Sequence, residues 1–277
     1  RRPKKSLPSG AGMHADPVKS SRRDVLSFLA ASLVPGTIVL GAKNAFAQDS
    51  ELALPPGSRL LRELSSTLAK APRRRDFKTV PMILDSRDQW DHEALDAVLA
   101  YRGNPKQAFD NTEIDGPWLN LMRNSMNAQV FSFRHPDFLC VSATHGTAHL
   151  ALYDDFIWTK YEFAKLTKGK LDTNTFSKVP DAGTHGFDDV QKADGFYSSE
   201  ANSIPVLQRR GAVFIACHNQ VWEITGARIK AGVNPDGLSH EAMAAEFTNH
   251  LIAGIVLSPG AIGTLPELLR KGFTYAK

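Results

Sequence analysis

Cysteine is almost missing from this chain: 277 residues contain two, Cys140 and Cys217, with no CxxC pair and no c-type haem attachment site. There is no glycine-rich phosphate loop between a strand and a helix, and no serine, histidine and aspartate in an order that reads as a triad. Long apolar runs are missing too. The most apolar early stretch, residues 28–42, is short for a membrane span and is broken by Pro35, Gly36 and Gly41.

Positive charge is scarce after the first segment. The chain as a whole carries a net charge of +4, but residues 1–47 hold eight Lys/Arg against two Asp/Glu, which leaves 25 basic and 27 acidic side chains beyond them. The basic isoelectric point therefore belongs to the leader and argues for no nucleic-acid partner. The triplet Arg73-Arg74-Arg75, next to Pro72, reads as a solvated linker rather than a phosphate-binding patch.

That first segment reads as an export signal. Ser21-Arg22-Arg23-Asp24-Val25-Leu26 is a twin-arginine pattern, residues 28–42 form a moderately apolar core, and Ala45-Phe46-Ala47 is a small-x-small cleavage site. Met13 is the expected start, cleavage is expected after Ala47, and a periplasmic location is expected through the twin-arginine export machinery. An uncleaved N-terminal anchor is the rival reading. Residues 48–57 would then be an extended linker and residues 58–277 a single domain, long enough for one core.

Along that domain, leucines at 60, 61, 64 and 68 have helical spacing with Ser58 as cap. Residues 79–84 read as a strand weakened by Pro81, residues 85–101 as a helix, and residues 102–115 as a polar loop. A helix over 118–128 precedes a strand over 138–143, which ends at Thr144-His145-Gly146-Thr147-Ala148-His149. With helix from Thr147 onward, His145 and His149 share a face as a metal-ligand pair would, although a hydrogen-bonded pair beside a pocket is the preferred reading. Residues 154–205 read as an insertion that repeats Thr-His-Gly. It is either a lid bringing His185 toward Cys217 or a surface excursion used between subunits.

The chain is organised around residues 211–277. The run Gly211-Ala-Val-Phe-Ile-Ala-Cys-His-Asn-Gln220 reads as a buried parallel strand ending in a thiol and an imidazole. Ligands in open α/β sheets bind beyond the carboxyl ends of the strands, so Cys217 and His218 sit where chemistry is done, unless Cys217 is one more small core residue. A helix over 219–228, a helix capped by Ser239, a strand over 251–257 and a last helix capped by Thr264, with Pro266 in its first turn, follow. Both cysteines are expected to be free thiols, with Cys140 buried and inert.

The strand into Cys217, the following Val256-Leu-Ser-Pro-Gly-Ala-Ile-Gly263 and Leu268-Leu-Arg-Lys-Gly-Phe-Thr-Tyr275 resemble the DsrE/DsrF-like family of bacterial sulfur metabolism, with a weaker likeness over residues 137–153. The resemblance implies a three-layer α/β sandwich with a mostly parallel sheet of about five strands. It also implies a homo-oligomer, trimeric or hexameric, and a sulfur-donor or acceptor protein as partner. Cys217 takes the position of the cysteine that carries a persulfide in the sulfur-relay members, and His145-Gly146 matches the pair that often closes the neighbouring strand.

The chain is therefore expected to be an exported protein that carries or transfers sulfane sulfur on Cys217, with His218 or His145 as donor or base. The residues after Cys217 depart from the relay proteins, since Trp222 and Glu223 replace their small polar run. The alternatives are a non-catalytic periplasmic binding module, holding a small ligand or a transition metal (the latter through His145, His149 and His185), or a structural subunit of an exported complex.

Overall fold

The computed structural model describes residues 52–184 and 190–277. The twin-arginine stretch, the cleavage site and His185 lie outside the described residues. Strands β1 (Lys106–Asn111), β2 (Leu139–Thr144), β3 (Val213–Cys217), β4 (Val256–Ser258) and β5 (Thr274–Ala276) form one sheet in the order β4-β3-β2-β1-β5, and every pairing in it is parallel. In chain order the helices are α1 (Arg59–Lys70), α2 (His92–Leu99), α3 (Trp118–Asn127), α4 (Asp155–Lys160), α5 (Phe163–Leu166), α6 (Ile204–Arg209), α7 (His218–Lys230), α8 (His240–Asn249) and α9 (Ala261–Arg270).

Side chains alternate across each strand, and the two faces are covered by different helices. Val213, Ile215 and Cys217 of β3 face Leu61, Leu64 and Leu68 of α1, Leu95 and Val98 of α2, and Leu265 and Leu268 of α9. Phe214 and Ala216 face the opposite core, built from Met122 of α3, Ile157 of α4, Val221 of α7 and Phe247 of α8. The result is the expected three-layer α/β sandwich. Parallel neighbours demand crossovers, and the helices supply them on both faces.

Several local expectations change. Residues 106–111 were expected to be loop, because Lys106, Gln107, Asp110 and Asn111 give no apolar run; they form β1 because the tertiary structure partners those polar side chains. Lys106 Nζ donates to Tyr101 O at 2.7 Å, Asn111 Nδ2 to Ser142 Oγ at 2.7 Å, and Ser125 Oγ to Gln107 Oε1 at 2.5 Å. Residues 79–84 form no strand. Pro81 has no N–H to pair, and its carbonyl is held by the His218 ring at 2.8 Å. Strand β4 is shorter than expected because Gly254 turns the chain at φ +80° just before it.

Helix α9 begins four residues earlier than expected, so Gly260 rather than Thr264 stands at its cap and Pro266 lies inside it. Ser58 stands at the N-cap position of α1 as expected, but its hydroxyl makes no capping bond and donates to Pro55 O instead. The stretch before α1 is not a bare linker either, since Ala53 and Leu54 are buried and Ala53 N–H donates to Arg209 O at 2.7 Å.

The Arg73-Arg74-Arg75 triplet is a clamp rather than a solvated linker. Arg75 pairs with the fully buried Asp91 at 2.9 Å, Arg74 makes a two-pronged pair with Glu93, and Arg73 Nε donates to Ile255 O. Residues 154–205, where described, contribute side chains to the core between exposed turns. Tyr161 and Phe163 are fully buried, burial worth roughly 1.5–3 kcal/mol for a side chain such as Phe163. Buried Asn174 donates to both Ala151 O and Tyr153 O.

Candidate functional site

The carboxyl ends of four adjacent strands carry the chemistry. Cys217 ends β3 and, in extended conformation, stands immediately before the first residue of α7. Backbone N–H groups of Ala261, at the start of α9, and of Gln220 and Asn219, in the first turn of α7, favour its thiolate. Two helix N-termini therefore converge on one sulfur, each offering the unpaired donors of a first turn. Burial opposes them and prevails, so the thiol is pushed up from its ordinary value; the side chain is only 4% exposed.

The sequence-predicted histidines occupy three separate places. His218 is buried, and its Nε2 donates to Pro81 O at 2.8 Å, which leaves Nδ1 buried without a partner. Burial lowers its pKa, so the ring is neutral and is tied to the segment before α2 rather than to the thiol. His149 is fully buried. Its Nε2 accepts the Cys217 backbone N–H at 3.1 Å, so the proton sits on Nδ1. Burial, with smaller contributions from His145 and His218, pushes its pKa down to about 3. His149 therefore positions the Cys217 backbone and remains neutral.

His145 remains extended after β2, donates its N–H to Asn111 O, and directs Nε2 at Asp110 Oδ1 at 2.6 Å. Asp110 also accepts the Tyr275 hydroxyl at 2.7 Å. Burial would raise the Asp110 pKa, but hydrogen bonds from His145 and Tyr275 lower it, so the carboxylate is charged. A charged carboxylate holding an imidazole is an orienting device for proton transfer. The register that pairs Thr144 with Ala216 makes His145 the next residue in line with Cys217, yet no hydrogen bond joins the imidazole to the sulfur.

Asp110 and Tyr275 were not anticipated as site residues. Asp110 lay in an expected loop and Tyr275 in the tail beyond the last helix. The available signal was the parallel register, which only the fold supplies: Asp110 pairs with Ala143, two residues before His145, and Tyr275 pairs with Ala108. Gly146 is required at the turn after His145. It has φ +56°, and a Cβ there would stand 2.5 Å from Thr112 O.

Of the alternative metal set, His145 Nε2 is engaged by Asp110 and His149 Nε2 by the Cys217 N–H, while His185 lies outside the described residues. Among the described residues no three His, Cys, Asp or Glu side chains are grouped as a metal site. Two cavities flank the cysteine turn. One of about 490 Å³ lies against Asn219, Gly260 and Leu84, and one of about 410 Å³ against Gln220 and Gly146. Compared with models of known families, with curated proteins and with solved structures, the chain matches none of them.

Proposed function

We propose that this protein handles sulfane sulfur, with Cys217 accepting one sulfur atom as a persulfide and passing it to an acceptor thiol. The carrying observation is the seat of the sulfur: the carboxyl end of a buried parallel strand, with backbone donors of Asn219, Gln220 and Ala261 favouring its anion. Kinship with the DsrE/DsrF-like family, export to the periplasm through the twin-arginine route and assembly into a homo-oligomer belong to the same reading.

The chemistry balances without an added oxidant. The Cys217 thiolate attacks the outer sulfur of a persulfide or polysulfide donor, the donor S–S bond breaks, and a new S–S bond forms on Cys217. The donor leaves as a thiolate and takes the proton that Cys217 released. Because burial keeps the resting thiol protonated, Cys217 resists indiscriminate oxidation and the same backbone donors favour the anionic persulfide once formed. His145, held by Asp110 at the end of the neighbouring strand β2, is the candidate to relay the proton across the strand ends.

Intact mass after incubation with polysulfide tests the reading, with reductant and Cys217→Ser as controls. The expected result is a gain of one sulfur atom, about 32 Da, removed by reductant and lost in the variant. No gain on the wild-type protein, or the same gain on Cys217→Ser, rejects it.

A further inference from the structure

On the face of the sheet opposite the Cys217 side chain, a cavity of about 410 Å³ opens between α7 and the 3₁₀ turns that follow β2. Leu150, Leu166 and Ile224 give it apolar walls, and Gln220, Glu223 and Arg228 are its larger polar side chains. The wall is built rather than incidental: Gln220 Oε1 accepts the Gly146 N–H at 2.7 Å, which ties α7 to the turn after β2.

Arg228 is the informative residue. Its Nε is buried with no hydrogen-bond partner, and no carboxylate pairs with the guanidinium among the described residues. Glu162, the acid whose charge reaches it, is already bonded to Lys165 Nζ at 2.7 Å. A guanidinium without a partner, at an apolar cavity, is a ready receptor for a carboxylate, because its planar fork matches the two oxygens. Glu223, exposed at the rim, repels a second negative charge.

We propose that this cavity binds a small organic monocarboxylate with an apolar body, its head on Arg228 and its chain against Leu150, Leu166 and Ile224. The volume falls within the usual range for small-molecule sites, roughly 300–1,000 Å³. The side chains that would hold the ligand, Arg228, Leu150, Leu166 and Ile224, take no part in the preceding reading; only Gln220 is shared, through its backbone N–H there and its side chain here, and the test below reads ligand affinity alone.

Isothermal titration of the full chain with hexanoate, 1-hexanol and hexylamine tests the proposal. Hexanoate is expected to bind saturably, and 1-hexanol and hexylamine about tenfold more weakly or worse, from loss of a charge-assisted hydrogen bond. Arg228→Gln is expected to weaken hexanoate by a similar factor and leave 1-hexanol unchanged. Ala227→Phe, a change at an exposed lining position, is expected to weaken both by filling the cavity. If Arg228→Gln fails to fold, Arg228→Lys carries the comparison, since it keeps the charge and loses the fork. Equal affinity for hexanoate and 1-hexanol, an unchanged hexanoate affinity in the Arg228 variant, tighter binding of hexylamine, or no saturable heat up to about 10 mM overturns the proposal.

Discussion

At Cys217 two opposed effects act on one sulfur. Backbone donors from two helix starts favour the thiolate, while burial at the end of β3 favours the thiol and prevails. The neighbouring imidazole of His149 serves the backbone instead, as the acceptor for the Cys217 N–H. Its pH linkage has a definite sign. The folded pKa, about 3, lies below the ordinary 6.5, so its contribution is fully present above pH 6.5 and is lost as pH falls toward 3. Over that window the unfolded chain takes up a proton that the folded chain refuses. His149→Gln, which keeps an acceptor without an ionisable ring, is expected to lose less stability than the wild type between about pH 7 and about pH 5 in urea denaturation. An identical acid slope in both proteins would show that His149 is not the group responsible.

At the scale of elements, the short strand β4 is held by a side chain far away in sequence. Asp91, just before α2, accepts Leu257 N–H at 2.8 Å and Arg74 N–H at 2.8 Å, and its own N–H donates to Leu257 O. Arg75 completes the clamp by pairing with Asp91 and donating to Ile255 O at 3.0 Å. Removing the carboxylate leaves Arg75, 10% exposed, without its counter-ion and the Leu257 N–H without an acceptor. Asp91→Ala is expected to cost about 3–5 kcal/mol in chemical denaturation, as when one partner of a buried pair is removed. A cost below about 1 kcal/mol would mean that the pair behaves as a surface ion pair.

At the scale of the whole molecule, the sheet separates the two thiols. Cys140 belongs to the core under α3, α4, α7 and α8, whereas Cys217 belongs to the core under α1, α2 and α9. Both are free, and burial pushes the Cys140 thiol far up, so it is inert in the folded protein. Mild oxidation of the folded protein is therefore expected to produce no intramolecular disulfide. Intact mass of the oxidised, alkylated protein should show two alkylatable thiols after denaturation. A species about 2 Da lighter, with both thiols blocked, would place the two side chains on one face.

The sequence determined by itself the α/β class, the core strands β2 and β3, and Cys217 at a strand end. Continuous apolar runs that stop at polar residues are a local signal, and a strand buried on both faces leaves little else for such runs to become. Helices α1, α3 and α8 were legible for the same reason, through spacing and, at Ser239, a side chain that caps Ala242 N–H. The tertiary structure alone decided β1, β5 and the Asp110–His145–Tyr275 arrangement. Polar Lys106, Gln107, Asp110 and Asn111 form a strand only because partners distant in sequence satisfy them. It alone also decided the role of each histidine, because His145 and His149 owe their tasks to hydrogen bonds with Asp110 and the Cys217 N–H, 35 and 68 residues away in the chain. Parallel register, not sequence spacing, brings those groups to one edge.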